Sequence, residues 1–268
     1  MKIILLTLLI SFHVKAQINN KFSIENHDLR NLENHAIPDN NHLVKLNFPI
    51  FNQPAISLQY EYNFLKKFTA GASLNYQFKQ EFLPLKIIRK NKIENNFVDH
   101  QLKNIKTTSF SFTPEIRYYF GKEVYKGFYV APFIRFSSYD VDFPLQYVED
   151  KIEEYYQQVN FLGQFNTATI GISVGAQWKL YNNFYIDWLI VGPHLGKANE
   201  RLILKSDLNS SQQKAILKSL DLIKTTIEET KGIPDINFDY TIDEKGGEIK
   251  LKNPWAGVRL QIGFGYRF

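Results

Sequence analysis

The chain has 268 residues, a formal net charge of +5 and no cysteine, and its 22 Phe and 15 Tyr are many for its length. The mild, evenly spread charge argues against nucleic acid as a partner, and the absence of cysteine excludes stabilisation by disulfides. The length suffices for one domain with a sizeable core, and the aromatic content suggests strands that are apolar on one face.

The chain begins with a pattern that is typical of an export signal. Lys2 precedes an apolar run over 3–12, and small residues at Val14 and Ala16 predict signal-peptidase cleavage between Ala16 and Gln17. The run is too short to span a bilayer, so an N-terminal anchor helix is the less favoured alternative. The polar, Asn-rich segment 17–41 is expected to be a flexible periplasmic lead.

Eight segments then alternate between apolar residues and small or polar ones, which is the period of a β-strand with two different faces. Most are eight to thirteen residues long, which suits tilted strands that cross a bilayer better than strands of soluble proteins. The pattern predicts an all-β fold, an eight-stranded antiparallel up-and-down transmembrane barrel over 42–268. The segments are 43–50, 56–62, 68–78, 109–120, 128–137, 168–180, the less regular 184–191, and 256–268.

The connections between these segments alternate in length. Of the odd-numbered connections, 79–108, 138–166 and 192–255 are long and only the first, 51–55, is short. The even-numbered ones, 63–67, 121–127 and 181–183, are all short. Outer-membrane barrels have long extracellular loops and short periplasmic turns, so both termini are expected in the periplasm. The last loop carries apolar residues at helical spacing, which predicts a helical insertion at about 206–231, with Asp207 or Ser210 as its cap.

The polar face of the strands predicts a barrel interior filled with charged side chains. Eight strands leave room for side chains but not for an aqueous channel, and confined charges must pair. A structural ion-pair network is therefore expected, and a small pore is the alternative. The predicted members of the ion-pair network are Lys45, Glu61, Glu115, Arg117, Arg135, Lys179, Asp187, Arg259 and Arg267.

A soluble binder and a membrane enzyme are also compatible with eight alternating strands. A soluble lipocalin-like binder would turn the apolar faces inward around a ligand. A lipid-modifying enzyme at the outer rim would need His194 close to a nucleophile and a carboxylate, for instance Ser137 and Asp140. No GxSxG or HExxH motif is present, so we expect no catalytic residues, no metal site and no cofactor.

The expected partners follow from the barrel interpretation. The alternating aromatics Phe264, Tyr266 and Phe268 resemble the signal that the outer-membrane assembly machinery reads. Outer-membrane lipids would surround the strands, and the basic second outer loop suits anionic lipopolysaccharide, while the extracellular ligand is undetermined. The basic residues of the second outer loop are Lys86, Arg89, Lys90, Lys92, Lys103 and Lys106.

Several runs resemble small outer-membrane barrel families of Bacteroidota, and in particular the domain-of-unknown-function family DUF3575. They are PEIRYYFGKE (114–123), KGFYVAPFIRFSSY (126–139), ISVGAQWKLYNNFYIDWLIVGPHLG (172–196) and the final GVRLQIGFGYRF. The resemblance covers roughly residues 43–268. It implies the fold and the outer-membrane location, and it implies no activity. The expected function is a non-enzymatic one, structural in the envelope or based on binding by the outer loops.

Overall fold

The computed structural model describes residues 41–50, 54–81, 93–149, 156–230 and 237–268. The expected export signal, its cleavage site and segment 17–40 lie outside these residues. Within them, no helix is both long and apolar enough to cross a bilayer. The elements in chain order are β1 (His42–Pro49), β2 (Ala55–Leu65), β3 (Phe68–Glu81), α1 (Asn96–Asn104), β4 (Lys106–Tyr119), β5 (Gly127–Tyr147), β6 (Gln157–Tyr181), β7 (Phe184–Lys205), α2 (Ser210–Glu229), β8 (Asn237–Asp243) and β9 (Gly246–Arg267).

Eight of the strands close into an antiparallel ring. Each strand from β1 to β7 pairs with the next, β7 pairs with β9, and β9 returns to pair with β1. The closing seam sets Val44 opposite Tyr266 and Phe48 opposite Ile262. Each of the eight alternating segments of the sequence forms one strand of this ring. The ring has no free edge over its shared height, so every strand there is hydrogen-bonded on both sides.

The two faces of the ring strands differ as their alternation predicts. On β4, for example, Thr113 and Arg117 are fully buried inside, whereas Phe112 and Ile116 are 41% and 50% exposed outside. Pro114 lies within β4, opposite Ala72 of β3, on the outer face. Segment 184–191 is less regular because the β7–β9 register shifts between Leu189 and Gly192. This bulge exposes Val191, which simple alternation would place inside.

Four of the strands continue well beyond the predicted segments, and there the two faces exchange character. On β5, the inward side chains change from Arg135 and Ser137 to Val141 and Phe143, while the outward side chain at Asp140 is polar. The same exchange occurs on β6, β7 and β9. Residues 138–147, 157–166, 196–205 and 246–255, predicted as loops, are therefore strand. The alternation was missed there because its apolar parity reverses.

Strand β8 was also missed. It pairs with the first half of β9, from Asn237 opposite Lys252 to Asp243 opposite Gly246. The two strands are joined by a two-residue turn that ends at Gly246, whose φ of +132° favours glycine. Strand β8 lies beyond the ring, since β1 takes the corresponding place beside the second half of β9.

Two helices and the extended parts of the strands form a region that encloses an apolar cluster. We call this region the cap. Helix α2 contributes Ile216, Leu220 and Ile223, and α1 contributes Val98 and Leu102. The side chain of Gln101 on α1 bonds the backbone of Gln146 on β5 twice, which fixes the helix to the sheet. The inward residues of the cap strands are Val141, Phe143, Leu145, Tyr147, Phe161, Phe165, Ala198, Leu202, Leu204 and Ile249.

Helix α2 lies within the predicted insertion, but its predicted caps were wrong. Asn209 is the N-cap, and it forms a reciprocal capping box with Gln212. Just before the helix, the backbone N–H of Leu208 donates to the carbonyl of Glu244 in the β8–β9 turn. Helix α1 was not expected, and its N-cap is Asn95, whose side chain accepts a hydrogen bond from the backbone N–H of Val98.

Candidate functional site

An ion-pair network occupies the middle of the ring. The Lys45 ammonium lies 2.6 Å from a carboxylate oxygen of Glu61 and 2.6 Å from one of Asp187. The Arg117 guanidinium lies 2.6 Å from Asp187 and 2.5 Å from Glu115. None of these five side chains is more than 4% exposed. The buried charges satisfy one another, as charges withdrawn from water must.

The network also crosses the full width of the ring. Arg259 on β9 reaches Glu115 on β4, which is four strands away in either direction, at 3.4 Å. Lys45, Arg117 and Arg259 bring three positive charges against the three negative charges of Glu61, Glu115 and Asp187. The amide of Gln59 donates to Glu115 at 2.7 Å. The network is therefore balanced in charge and fills the interior at this height.

A layer of tyrosines closes the ring at the end where β1 begins and β9 ends. The hydroxyl of Tyr119 donates to Glu61 and that of Tyr129 donates to Asp187, at 2.6 Å and 2.8 Å. Tyr185 is buried beside them. Tyr125 lies in the β4–β5 turn, and its side chain is fully buried. Its hydroxyl donates a hydrogen bond to the backbone carbonyl of Asn41. Asn41, expected as the end of a flexible lead, is thus part of this layer, which we call the tyrosine floor.

Interior glycines make room for these large side chains. Gly71 lies between Glu61 and Glu115 on its two neighbouring strands, and a Cβ there would come within 2.9 Å of the backbone carbonyl of Tyr60. Gly263 lies between Asp187 and Asn47, and a Cβ there would overlap the Asn47 amide. Pairing large residues with glycine lets a narrow ring hold whole charged side chains.

Three predicted network members lie elsewhere. Lys179 is exposed near the end of β6, where it pairs with Tyr185 of β7 just before the register of the two strands shifts. Arg267 is half-buried, 5.2 Å from the ring centroid of Tyr125, with a hydrogen bond to the Tyr185 hydroxyl. Arg135 lies on the cap side of the network and donates to the Ser137 hydroxyl at 3.2 Å.

The geometry does not assemble the hypothetical rim triad. His194 and Ser137 face inward, but Asp140 faces outward, where it accepts hydrogen bonds from Thr108 and Gln164. Ser137 and Asp140 differ in strand parity, so they cannot share a face of β5. Among the described residues there is no group of three or more His, Cys, Asp or Glu side chains that could hold a metal ion.

Beyond the ring, Glu200 on β7 points into the base of the cap. Burial raises the pKa of its carboxyl group to about 7. Burial and the neighbouring Asp221 carboxylate likewise raise the pKa of Tyr240 on β8 to about 12. Glu200 therefore titrates near neutral pH.

The outer face of β9 carries the aromatic side chains expected to act in assembly. Phe264, Tyr266 and Phe268 are 53%, 47% and 50% exposed on the outside of the ring. Their recognition by the assembly machinery stays a prediction. Of the expected basic loop, Lys103 and Lys106 are described and lie at the cap side of the ring, whereas residues 86–92 lie outside the described part of the chain.

A family model described as "Protein of unknown function (DUF3575)" matches residues 4–214. This confirms the family resemblance, although the match begins earlier than residue 43 and ends before β8. No curated protein matches the chain. The crystal structure of the beta domain of the Bordetella autotransporter BrkA is similar at 10% identity, over 85% of this chain and 98% of that one. Its TM-score of 0.32 is too low to carry an argument.

Proposed function

Because the chain belongs to the DUF3575 family, which assigns it no activity, we propose from its geometry that it is an outer-membrane β-barrel with a plugged interior and an extracellular cap. The observation that carries this proposal is the exchange of faces along the long strands. Within the ring the apolar side faces out, and in the cap it faces in. Lipid around the ring would explain why its apolar side faces outward, and water around the cap would explain why the apolar side faces inward there.

The outer surface of the ring, which we call the belt, is apolar all the way round. Leu58 on β2, Phe112 on β4 and Ile170 on β6 are 53%, 41% and 63% exposed. A soluble monomer rarely exposes a continuous apolar surface of this extent. In the lipocalin-like alternative, the apolar faces would line the interior, which instead holds ion pairs.

The height of the belt suits a bilayer. On β3 it runs from Phe68 to Phe78 and on β4 from Phe110 to Phe120. A transmembrane strand needs about nine to eleven residues, and aromatic side chains favour the two membrane interfaces. Aromatic contacts such as Phe68 with Tyr118 and Tyr76 with Phe78 lie at the two ends of the belt.

The two ends of the ring indicate its orientation. One end has the tight turns Lys66–Lys67 and Asn182–Asn183 together with His42 and Phe268. The other end carries the cap. Since short turns are periplasmic in such barrels, the termini would lie in the periplasm and the cap outside.

The specific role proposed here is non-enzymatic. The ion-pair network crosses the ring and the tyrosine floor lies beneath it, so we propose that the barrel does not conduct. The surface presented outward is a folded cap, which suits a structural or binding role in the envelope. Lys103 and Lys106 at the base of the cap would meet anionic lipopolysaccharide headgroups.

Tryptophan quenching tests the membrane placement directly. Trp188 is 43% exposed in the middle of the belt, between Ala176 and Ile262. Trp255 packs inside against Tyr139 and Phe165. Each can be kept as the single tryptophan by replacing the others with Phe, and the protein refolded into vesicles of brominated phosphatidylcholine.

We expect strong quenching of Trp188 fluorescence and little quenching of Trp255, because only Trp188 would touch lipid chains. The Trp255 variant is the matched control for refolding and for vesicle concentration. Equal and weak quenching of both tryptophans, with the protein folded and free in solution, would contradict the membrane proposal. Planar-bilayer recordings of the same protein test the plug, and regular conductance steps would refute it.

A further inference from the structure

A second group of basic side chains lies between the ion-pair network and the cap. Arg259, which pairs with Glu115 on one side, also lies 4.7 Å from the ring centroid of Phe133. The same ring lies 6.0 Å from the imidazole of His194. The charges of Arg135 and Arg259 both act on this imidazole, and they repel each other. We call Arg135, His194 and Arg259 the basic cluster.

The basic cluster lacks negative charge. The network below it is already balanced when Arg259 is included, so Arg135 is an additional positive charge. Within the described part of the chain, Arg135 has no carboxylate partner, and the Ser137 hydroxyl accepts its hydrogen bond. Like charges held together inside a ring are costly unless an anion joins them.

Two unused polar groups lie in this part of the interior. Thr113 is fully buried, and its hydroxyl has no hydrogen-bond partner among the described residues. The β4–β5 register, which pairs Phe112 with Phe136, sets Thr113 across from Arg135. The Nδ1 atom of His194 is also without a partner. Buried polar groups are usually satisfied, so these atoms point to a ligand.

The strands beside His194 carry glycine at the matching positions. Gly171 and Gly257 are its partners on β6 and β9. A Cβ at Gly257 would come within 2.7 Å of the imidazole, so the side chain lies flat against that strand. Arg135 is only half-buried, so the cluster is not fully closed off from solvent.

We propose that the basic cluster binds a compact oxyanion, a phosphate or carboxylate group, which enters from the cap side. The guanidinium of Arg135 would supply the main charge, because a guanidinium fork matches two oxygens of such a group. Arg259 and the Thr113 hydroxyl would complete its hydrogen bonds. The ion-pair network would form the bottom of the site. This inference concerns the interior alone and stands whether or not the belt lies in a membrane.

The test uses the full chain refolded in a zwitterionic detergent, with inorganic phosphate and acetate as probes. Calorimetric titration at constant ionic strength, with chloride as the reference salt, gives the dissociation constants. We expect saturable binding of phosphate, acetate or both, and a thermal midpoint raised by about 2–4 °C at occupancies that supply ~1 kcal/mol. Arg135→Gln should weaken binding at least about ten-fold, the loss of one charge-assisted pair.

Lys179→Gln is the matched control, because it removes the same charge from an exposed position outside the cluster. It should leave binding unchanged. Arg135→Gln should also fold at least as stably in chloride, since it removes repulsion from Arg259. If that variant fails to fold, Arg135→Lys keeps the charge without the fork, and a several-fold loss of affinity is then expected. Probe effects no larger than those of chloride, or equal effects in the two Gln variants, would overturn the proposal.

Discussion

Asp187 links several strands across the interior. It accepts hydrogen bonds from Lys45, Arg117 and Tyr129, which lie on three other strands. Asp187→Asn should lower the free energy of unfolding by about 3–5 kcal/mol, because it leaves the buried network with three cations and only two carboxylates, one uncompensated positive charge. Urea unfolding in detergent, followed by tryptophan fluorescence, measures this loss.

Asp142→Asn is the control for that substitution. Asp142 pairs with Lys79 at 2.7 Å, but the two side chains are 35% and 59% exposed. An exposed pair contributes about 0–1 kcal/mol, so this variant should unfold close to the wild type. Similar losses in the two variants would mean that Asp187 in the interior network contributes no more to the free energy of unfolding than an exposed ion pair does.

Glu200 makes the stability of the cap depend on pH. Burial raises the pKa of this carboxyl group from 4.5 to about 7. The folded state therefore holds a proton between about pH 4.5 and 7 that the unfolded state has lost, so this group's contribution to stability falls as pH rises through that window and is constant above it. Relative to the wild type, Glu200→Gln should become progressively more stable from pH 5 to about pH 7 and should keep that difference at higher pH.

Urea midpoints of wild type and Glu200→Gln, measured at matched pH values, give this difference. The exposed Glu228 on α2 offers the control, because Glu228→Gln makes the same substitution on the surface of the same cap. A Glu200→Gln difference that changes with pH no more than the Glu228→Gln difference would contradict the prediction.

At the residue scale, parity alone identified most of the interior charges. Lys45, Glu61 and Arg117 occupy the polar face of their segments, and the structure brings them together. Tyr125 could not be found in this way because it lies in a turn, with a φ of 65° that is unusual for a residue with a side chain. Whether Arg135 would pair could not be read from sequence either, because pairing depends on distances across the ring.

At the scale of elements, helix α2 holds the cap together through one face. Leu220 is fully buried in the cap cluster, whereas Leu222 on the same helix is 40% exposed. Leu220→Ala should destabilise the cap by about 2–5 kcal/mol, because it opens a cavity in a packed core. Hydrogen exchange of the α2 amides, or the rate of proteolysis within α2, reports this local change.

Leu222→Ala, which truncates the same side chain on the exposed face, should have little effect on either measurement. The mobility of unboiled protein in detergent gels should be unchanged in both variants, because the ring below is hydrogen-bonded on both sides of each strand. Loss of that folded mobility in Leu220→Ala would contradict a cap that unfolds separately from the ring.

The elements that the sequence predicted and those it did not differ in one physical respect. Ring strands follow a single rule, apolar outward, so their alternation could be read directly. In the cap, β5 to β7 and β9 follow the opposite rule, with apolar side chains inward. Because the apolar residues then move to the other alternate positions, the sequence alone predicts a loop there. Helix α1 spans only Asn96–Asn104, too short for helical periodicity to stand out from its surroundings.

At the scale of the whole molecule, the depth of an exposed residue should matter only if the belt meets lipid. Leu74 lies in the middle of β3 and Phe78 at its cap-side end, and they are almost equally exposed, at 46% and 49%. In a bilayer, Leu74→Arg should cost about 2–4 kcal/mol and Phe78→Arg about 0–1 kcal/mol, because an arginine near the interface reaches water.

Urea titrations in phosphatidylcholine vesicles measure both costs under one condition. A ring that folds in water would tolerate both substitutions, since each places a charge on an exposed surface. The difference between the two variants therefore separates a lipid-facing belt from a merely exposed one, without relying on their absolute stabilities. Equal and small effects would mean that the apolar exterior is covered by something other than a bilayer, and the exchange of faces at the rim would then need a protein partner to explain it.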